Sequence, residues 1–131
     1  MGGVAGHAGL FSTAYDVLRF AEEMIAADRG ASELFAGDVA RQFFRRQSLP
    51  DGSDWALGWD APTPGHSTSG RYFSERSIGH TGFTGTSVWI DLERDVVVVL
   101  LSNRVHLVAK RSTFDLRPRV HDLIREAFDA A

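Results

Sequence analysis

The sequence predicts an α+β domain, an antiparallel sheet with flanking helices. Three observations carry that expectation. Residues 13–28 place Val17, Leu18, Phe20, Ala21, Met24 and Ile25 at helical spacing, with Arg19, Glu22 and Glu23 on the other side. Residues 88–101 read as a hairpin, in which Val88, Ile90 and Leu92 alternate with Trp89, Asp91 and Glu93, a charged turn Glu93-Arg94-Asp95 follows, and 96–101 form an unbroken apolar run. Residues 117–129 return to helical spacing through Val120, Leu123, Ile124 and Phe128.

Each element has a local reason. Residues 1–11 hold four glycines interleaved with apolar residues, which suggests a packed loop. Thr13 and Asp16 fit a capping box with Asp in place of Glu, and Gly30 suits a left-handed helix end. A second helix is expected over 37–47, with Asp38 as its cap and Val39, Phe43 and Phe44 on its apolar side. Asp51-Gly52 signals a turn, and 55–60 read as a short strand. Pro62, Pro64, Gly65 and Gly70 among Ser and Thr make 61–71 a surface loop. In the hairpin, alternation suggests a strand with one wetter face, whereas the β-branched run suggests a strand covered on both faces. Pro118 suits the first turn of the last helix. Residues 1–131 are one domain's worth of chain at most, with helices in 1–50 and the hairpin and last helix in 51–131.

Composition excludes several function classes. At 131 residues and 44% hydrophobic content, a packed core is expected. A formal net charge of -3 gives no electrostatic reason to expect nucleic acid. No apolar run is long enough to span a bilayer, and residues 1–12 lack the basic start and apolar centre of a signal peptide. With no cysteine, thiolate chemistry is excluded, although the compartment stays open. Lys110 is the sole lysine, so a single side chain could serve as a neutral amine base. No pair among the five histidines has a metal-binding spacing, so neither a metal nor another cofactor is expected. His7 reads as a hydrogen-bonder in a turn, His66 and His106 as loop residues, and His121 as a surface residue of the last helix.

The chemistry concentrates at Gly79-His80-Thr81-Gly82-Phe83-Thr84-Gly85. Closely spaced glycines let other groups approach the backbone. In an extended edge strand, the N–H groups of Gly82-Phe83 can aim outward, Thr81 adds a hydroxyl, and His80 adds an imidazole able to donate or carry protons near neutral pH. The alternative is a strand that merely carries a packed or solvated histidine. A nucleophile motif is missing: neither Gly-x-Ser-x-Gly nor Ser-x-x-Lys occurs, and no Tyr-x-Asn follows Tyr15 or Tyr72. No dinucleotide fingerprint or Walker lysine follows the glycines, and the Arg45-Arg46 and Lys110-Arg111 pairs read as solvated faces.

Gly79-His80-Thr81-Gly82-Phe83-Thr84-Gly85-Thr86-Ser87, followed by Trp89-Ile-Asp and by Val-Val-Leu-Leu-Ser-Asn-Arg, resembles the C-terminal part of the serine β-lactamase and penicillin-binding-protein superfamily. The opening Gly-Gly-Val-Ala-Gly-His-Ala-Gly-Leu-Phe-Ser-Thr-Ala-x-Asp and Leu57-Gly-Trp-Asp are similar to its branch of class C β-lactamase-related esterases and peptidases. The resemblance implies an incomplete β-lactamase/transpeptidase-like fold and a parent enzyme that hydrolyses a small ester, β-lactam or peptide through an acyl-enzyme. It implies that His80 stands where many relatives carry the lysine of Lys-Thr-Gly. Thr81 and Gly82 complete that motif, and the Phe83 N–H forms half of an oxyanion hole. It implies substrate contacts from Thr84, Gly85 and, at a position where some relatives carry a carboxylate-binding arginine, Arg111. Leu107 departs from the proline usual after the position of His106. Relatives carry Ser-x-x-Lys and Tyr-x-Asn before the stretch matching 1–16, so the chain is expected to be the C-terminal portion of a longer enzyme, inactive alone. Its strand over 96–101 is then expected to have an open apolar edge, able to pair with another chain or with itself. A non-catalytic binding module using that edge is the alternative. The family is often periplasmic or secreted.

Overall fold

The computed structural model describes residues 2–3, 5–48, 50–106 and 116–130. The first helix, α1 (Ala14–Asp28), begins where the Thr13 side chain accepts the Asp16 N–H at 3.2 Å and its hydroxyl donates to the Asp16 carboxylate at 2.9 Å. The Thr13 cap is as expected from the sequence, but the Asp16 carboxylate meets the Thr13 hydroxyl where a capping box would have it accept the Thr13 N–H. The second helix, α2 (Gly37–Phe44), stops before Gln47, because Arg45 is extended and the Gln47 N–H turns away to the Trp55 carbonyl at 3.0 Å. Its N-cap is Ala36 without a side-chain bond; Asp38 lies one residue inside, where a negative charge suits the helix dipole.

The strand expected over 55–60 does not form. Gly58 adopts φ +75°, which breaks the extended chain, and the Ala56 N–H closes a turn on the Trp59 carbonyl at 2.9 Å. Only Asp60 reaches the sheet, through two backbone bonds with Gly79 at 2.8 and 2.9 Å.

The sheet is antiparallel, in the order β1 (Ile78–Thr81), β2 (Ser87–Asp91), β3 (Val96–Leu100). Its register pairs Ile78 with Ile90, Gly79 with Trp89 and His80 with Val88, then Trp89 with Val98 and Ile90 with Val97. Ile78, Ile90 and Leu92 pack with Ala21 and Met24 of α1, joined at the margin by Phe44 and Trp59. On the opposite face Phe73, Trp89 and Val98 pack with Ile124 of the last helix, α3 (Leu116–Asp129). The α+β class is therefore as predicted, with helices on both sides.

Burial within the hairpin inverts the expectation. The alternating strand β2 is the covered one: Trp89, Ile90 and Asp91 are all fully buried. The apolar run β3 is half-buried, with only Val98 enclosed, because it is the outer strand and pairs with β2 alone among the described residues. Alternation misled because Trp89 is largely apolar, while Asp91 is buried with its carboxylate satisfied by donors from Ser74, Glu93 and Arg94, the Arg94 guanidinium among them at 3.3 Å. The Ser74 hydroxyl reaches it at 2.7 Å, and the N–H groups of Ser74, Glu93 and Arg94 at 3.0, 3.1 and 3.1 Å.

The last helix also faces differently than its apolar stripe suggested. Arg117, His121 and Arg125 are buried, while Leu123 and Phe128 are 64% and 65% exposed. Polar anchors set this rotation. Asp122 accepts the Arg71 N–H at 2.6 Å and its Nε at 2.7 Å, and His121 Nδ1 lies 2.9 Å from the Thr68 carbonyl. His121 is thus a core residue rather than a surface one. No helix among the described residues is long and apolar enough to cross a membrane.

Candidate active site

β1 ends in His80 and Thr81, and the chain turns back into β2 through 82–86. The Gly82 N–H donates to the Thr86 carbonyl at 2.8 Å and the Gly85 N–H to the Gly82 carbonyl at 3.0 Å. The segment after β3 closes over this turn. Ser102 Oγ donates to the Gly85 carbonyl at 2.7 Å, the Arg104 N–H to Thr84 at 2.8 Å, and Arg104 Nε to Phe83 at 2.5 Å. From α3, Arg117 Nη2 donates to the carbonyls of Gly82 and Thr86 at 2.9 and 3.0 Å. All five carbonyls from 82 to 86 therefore accept hydrogen bonds. Among the described residues the Phe83 and Thr84 N–H groups meet no acceptor.

The other predicted residues lie on the same short stretch. The His80 side chain is exposed, and the Trp55 ring approaches it edge-on with 6.3 Å between centroids. Phe83 is 78% exposed with the Arg104 guanidinium 4.9 Å above its ring. Thr84 is exposed and Gly85 buried. Arg111 and Leu107 fall outside the described residues.

Electrostatics around the site come from three groups. Burial raises the Asp60 carboxyl above its ordinary value, against the opposing pull of the Ala61 N–H and the nearby His80. Burial and the neighbouring Arg104 lower Arg117. Arg104 adds its own positive charge at the turn.

Sequence reasoning gave no role to Trp55, Asp60, Ser102, Arg104 or Arg117, although Ser102 and Arg104 stood in the Val-Val-Leu-Leu-Ser-Asn-Arg stretch. Asp60 stood in the Leu57-Gly-Trp-Asp stretch, whereas Trp55 carried no signal. Arg117 carried no signal, because a helix residue reaches the turn only after packing. A cavity of about 750 Å³ lies elsewhere, lined by Arg46, His66, Arg71, Phe73 and Asp122 among others, and includes none of 80–85. His7 is exposed in a turn closed by mutual backbone bonds of Ala5 and Ala8. No cluster of His, Asp and Glu able to hold a metal occurs among the described residues.

Helices on both faces of an antiparallel sheet, with His80-Thr81 ending the first strand and Gly82 opening the turn, agree with membership of the serine β-lactamase and penicillin-binding-protein superfamily. Residues 1–119 match the family model described as β-lactamase, and the chain belongs to that family. It is 38% identical over 112 residues to proteins named putative D-alanyl-D-alanine carboxypeptidase from Salmonella agona (strain SL483) and Salmonella typhi. Each match covers 81% of this chain and 25% of the relative, so the chain spans about a quarter of the length of these curated relatives. A crystal structure of a β-lactamase from Mycobacterium bovis superposes with a TM-score of 0.70 at 22% identity, over 89% of this chain and 44% of that one, which shows the shared fold.

Proposed function

We propose that this chain is the C-terminal portion of a serine hydrolase domain and supplies one wall of its acyl-transfer site. The observation that carries this is the turn at 82–86 next to His80, whose five carbonyls all accept hydrogen bonds while the Phe83 N–H meets no acceptor among the described residues and is left for an acyl oxygen. In this reading His80 hydrogen-bonds across the site in the lysine's place, Thr81 and Gly82 contact the substrate's acyl group or carboxylate, and Thr84, Gly85 and, by the resemblance alone, Arg111 bind substrate. The attacking serine and its proton relay come from polypeptide bearing Ser-x-x-Lys and Tyr-x-Asn, which these 131 residues lack. Donors without a nucleophile retain little catalysis, because serine and base act as a unit. The carboxypeptidase names of the relatives favour a peptide ending in D-alanine as the substrate, with β-lactams and simple esters as chemical analogues.

The test is hydrolysis of nitrocefin, p-nitrophenyl acetate and a D-alanyl-D-alanine peptide. The chain is assayed alone and mixed with a polypeptide carrying the two missing motifs of a relative. Turnover is expected only in the mixture and is expected to fall with His80→Ala. Turnover by the chain alone that disappears in His80→Ala overturns the reading of inactivity. Labelling of the chain alone by a fluorophosphonate overturns the absence of its own nucleophile.

A second reading is favoured by β3, an outer strand of four valines and a leucine without charge or proline. Such an edge suits strand addition, so the chain also reads as a non-catalytic interaction module that pairs through β3.

A further inference from the structure

We propose that Arg117 is a positioning residue: from α3 it fixes the direction of the backbone N–H groups at the tip of the His-Thr-Gly turn. A trans peptide unit points its carbonyl and the following N–H in opposite directions. Drawing the Gly82 carbonyl onto Arg117 Nη2 at 2.9 Å therefore aims the Phe83 N–H away from α3. Drawing the Phe83 carbonyl onto Arg104 Nε does the same for the Thr84 N–H. Because α3 packs on the Trp89 face, the side opposite α3 is the one His80 shares with Val88 and the α1 cluster.

The character of Arg117 supports a dedicated role. It is 4% exposed, and among the described residues it pairs with no carboxylate. Its Nε has no partner there either. A desolvated guanidinium is costly to hold. Here it meets two backbone carbonyls flanking one turn, although Gly82 N–H to Thr86 and Gly85 N–H to Gly82 already close that turn. Arg125, two helical turns along the same buried stripe, instead pairs with Asp129 at 2.8 Å. It is the natural control, a buried arginine that does not reach the turn.

That the N–H groups receive an acyl oxygen rests on the function proposed above; their orientation does not. The test is solution NMR of the isotope-labelled chain in a weakly aligning medium, where N–H residual dipolar couplings report bond direction. In the wild type, Phe83 and Thr84 are expected to show order parameters like those of β1 and β2, about 0.85. In Arg117→Met their couplings are expected to shrink about twofold or more, while those of β1 and β2 persist. Arg117→Lys is expected to restore part of the loss, and Arg125→Met to leave both couplings unchanged. Unchanged couplings in Arg117→Met with the sheet intact overturn the proposal, as does an equal loss in Arg125→Met. Should Arg117→Met fail to fold, the wild type decides: order parameters below about 0.6 at Phe83 and Thr84, with Arg117 in place, overturn it. The two proposals fail separately. Restored turnover in the mixture with unmoved couplings removes Arg117 alone, whereas altered couplings without turnover leave its positioning role and remove the hydrolase role.

Discussion

The indole of Trp89 lies in the space a side chain on Gly79 would need. A Cβ built on Gly79 comes within 2.8 Å of Trp89 Cε2 and closer still to Cδ2. The two residues are direct partners in the β1–β2 register, so the ring lies across β1 immediately before His80. The glycine at this position is therefore a packing requirement that fixes how β1 carries the histidine.

Gly79→Ala is accordingly expected to destabilise the chain by about 1–3 kcal/mol, the usual cost of overpacking a core. Gly6→Ala, where an added Cβ meets nothing within 4 Å, is the control and should stay within about 0.5 kcal/mol. Urea midpoints at constant slope measure both.

Asp91 is the buried anchor of the hairpin turn. Its burial opposes ionisation, but the bonds from Ser74, Arg94 and Glu93 outweigh that and hold its pKa below the ordinary 3.8. Stability from this group is present above 3.8 and lost as pH falls through the depressed folded value. Asp91→Leu leaves these donors unsatisfied and is expected to cost about 3 kcal/mol. In Asp91→Asn the acid-side slope attributable to this group should vanish from denaturation curves recorded as a function of pH.

His121 acts in a higher window. Burial lowers its pKa below 6.5, despite the opposing bond to the Thr68 carbonyl. The unfolded chain therefore binds the proton first, and stability falls as pH drops from 6.5 toward the folded value. Thermal melts at about pH 7.5 and 5.5 should show the loss, and His121→Gln should flatten it.

Asp60 carries the opposite sign. Its raised folded pKa means that its contribution is full below 3.8 and is lost as pH rises through the folded value. Asp60→Asn is expected to raise the neutral-pH urea midpoint. An unchanged or lower midpoint removes the claim that ionised Asp60 costs stability.

The outer edge of β3 gives a prediction about association. Val99 pairs with Val88 and is half-buried on the outer strand. Val99→Lys places a charge there and is expected to weaken any self-association about tenfold, or about 1.4 kcal/mol, in sedimentation equilibrium.

Some of this was readable along the chain. Thr13 caps α1 as its position indicated, because a cap is decided within four residues. The existence of α3 and the charged turn at 93–95 were equally local, although the face that α3 buries was not. Pattern failed where a residue's surroundings come from distant chain. Asp91 read as a wet-face residue because its Ser74 donors stand 17 positions away. The run 96–101 read as enclosed because hydrophobicity does not reveal which strand will be outermost.

The amino-acid order alone determined the helix-and-hairpin class, the His-Thr-Gly stretch and the lack of any serine motif, since each depends on neighbours in the chain. Tertiary structure decided which strand is covered, how α3 is rotated, and that Arg117 reaches Gly82 and Thr86 across 35 and 31 positions. The physical reason is that backbone carbonyls are present at every residue and carry no sequence signature, so their capture by a distant guanidinium becomes visible only after the sheet and α3 have packed.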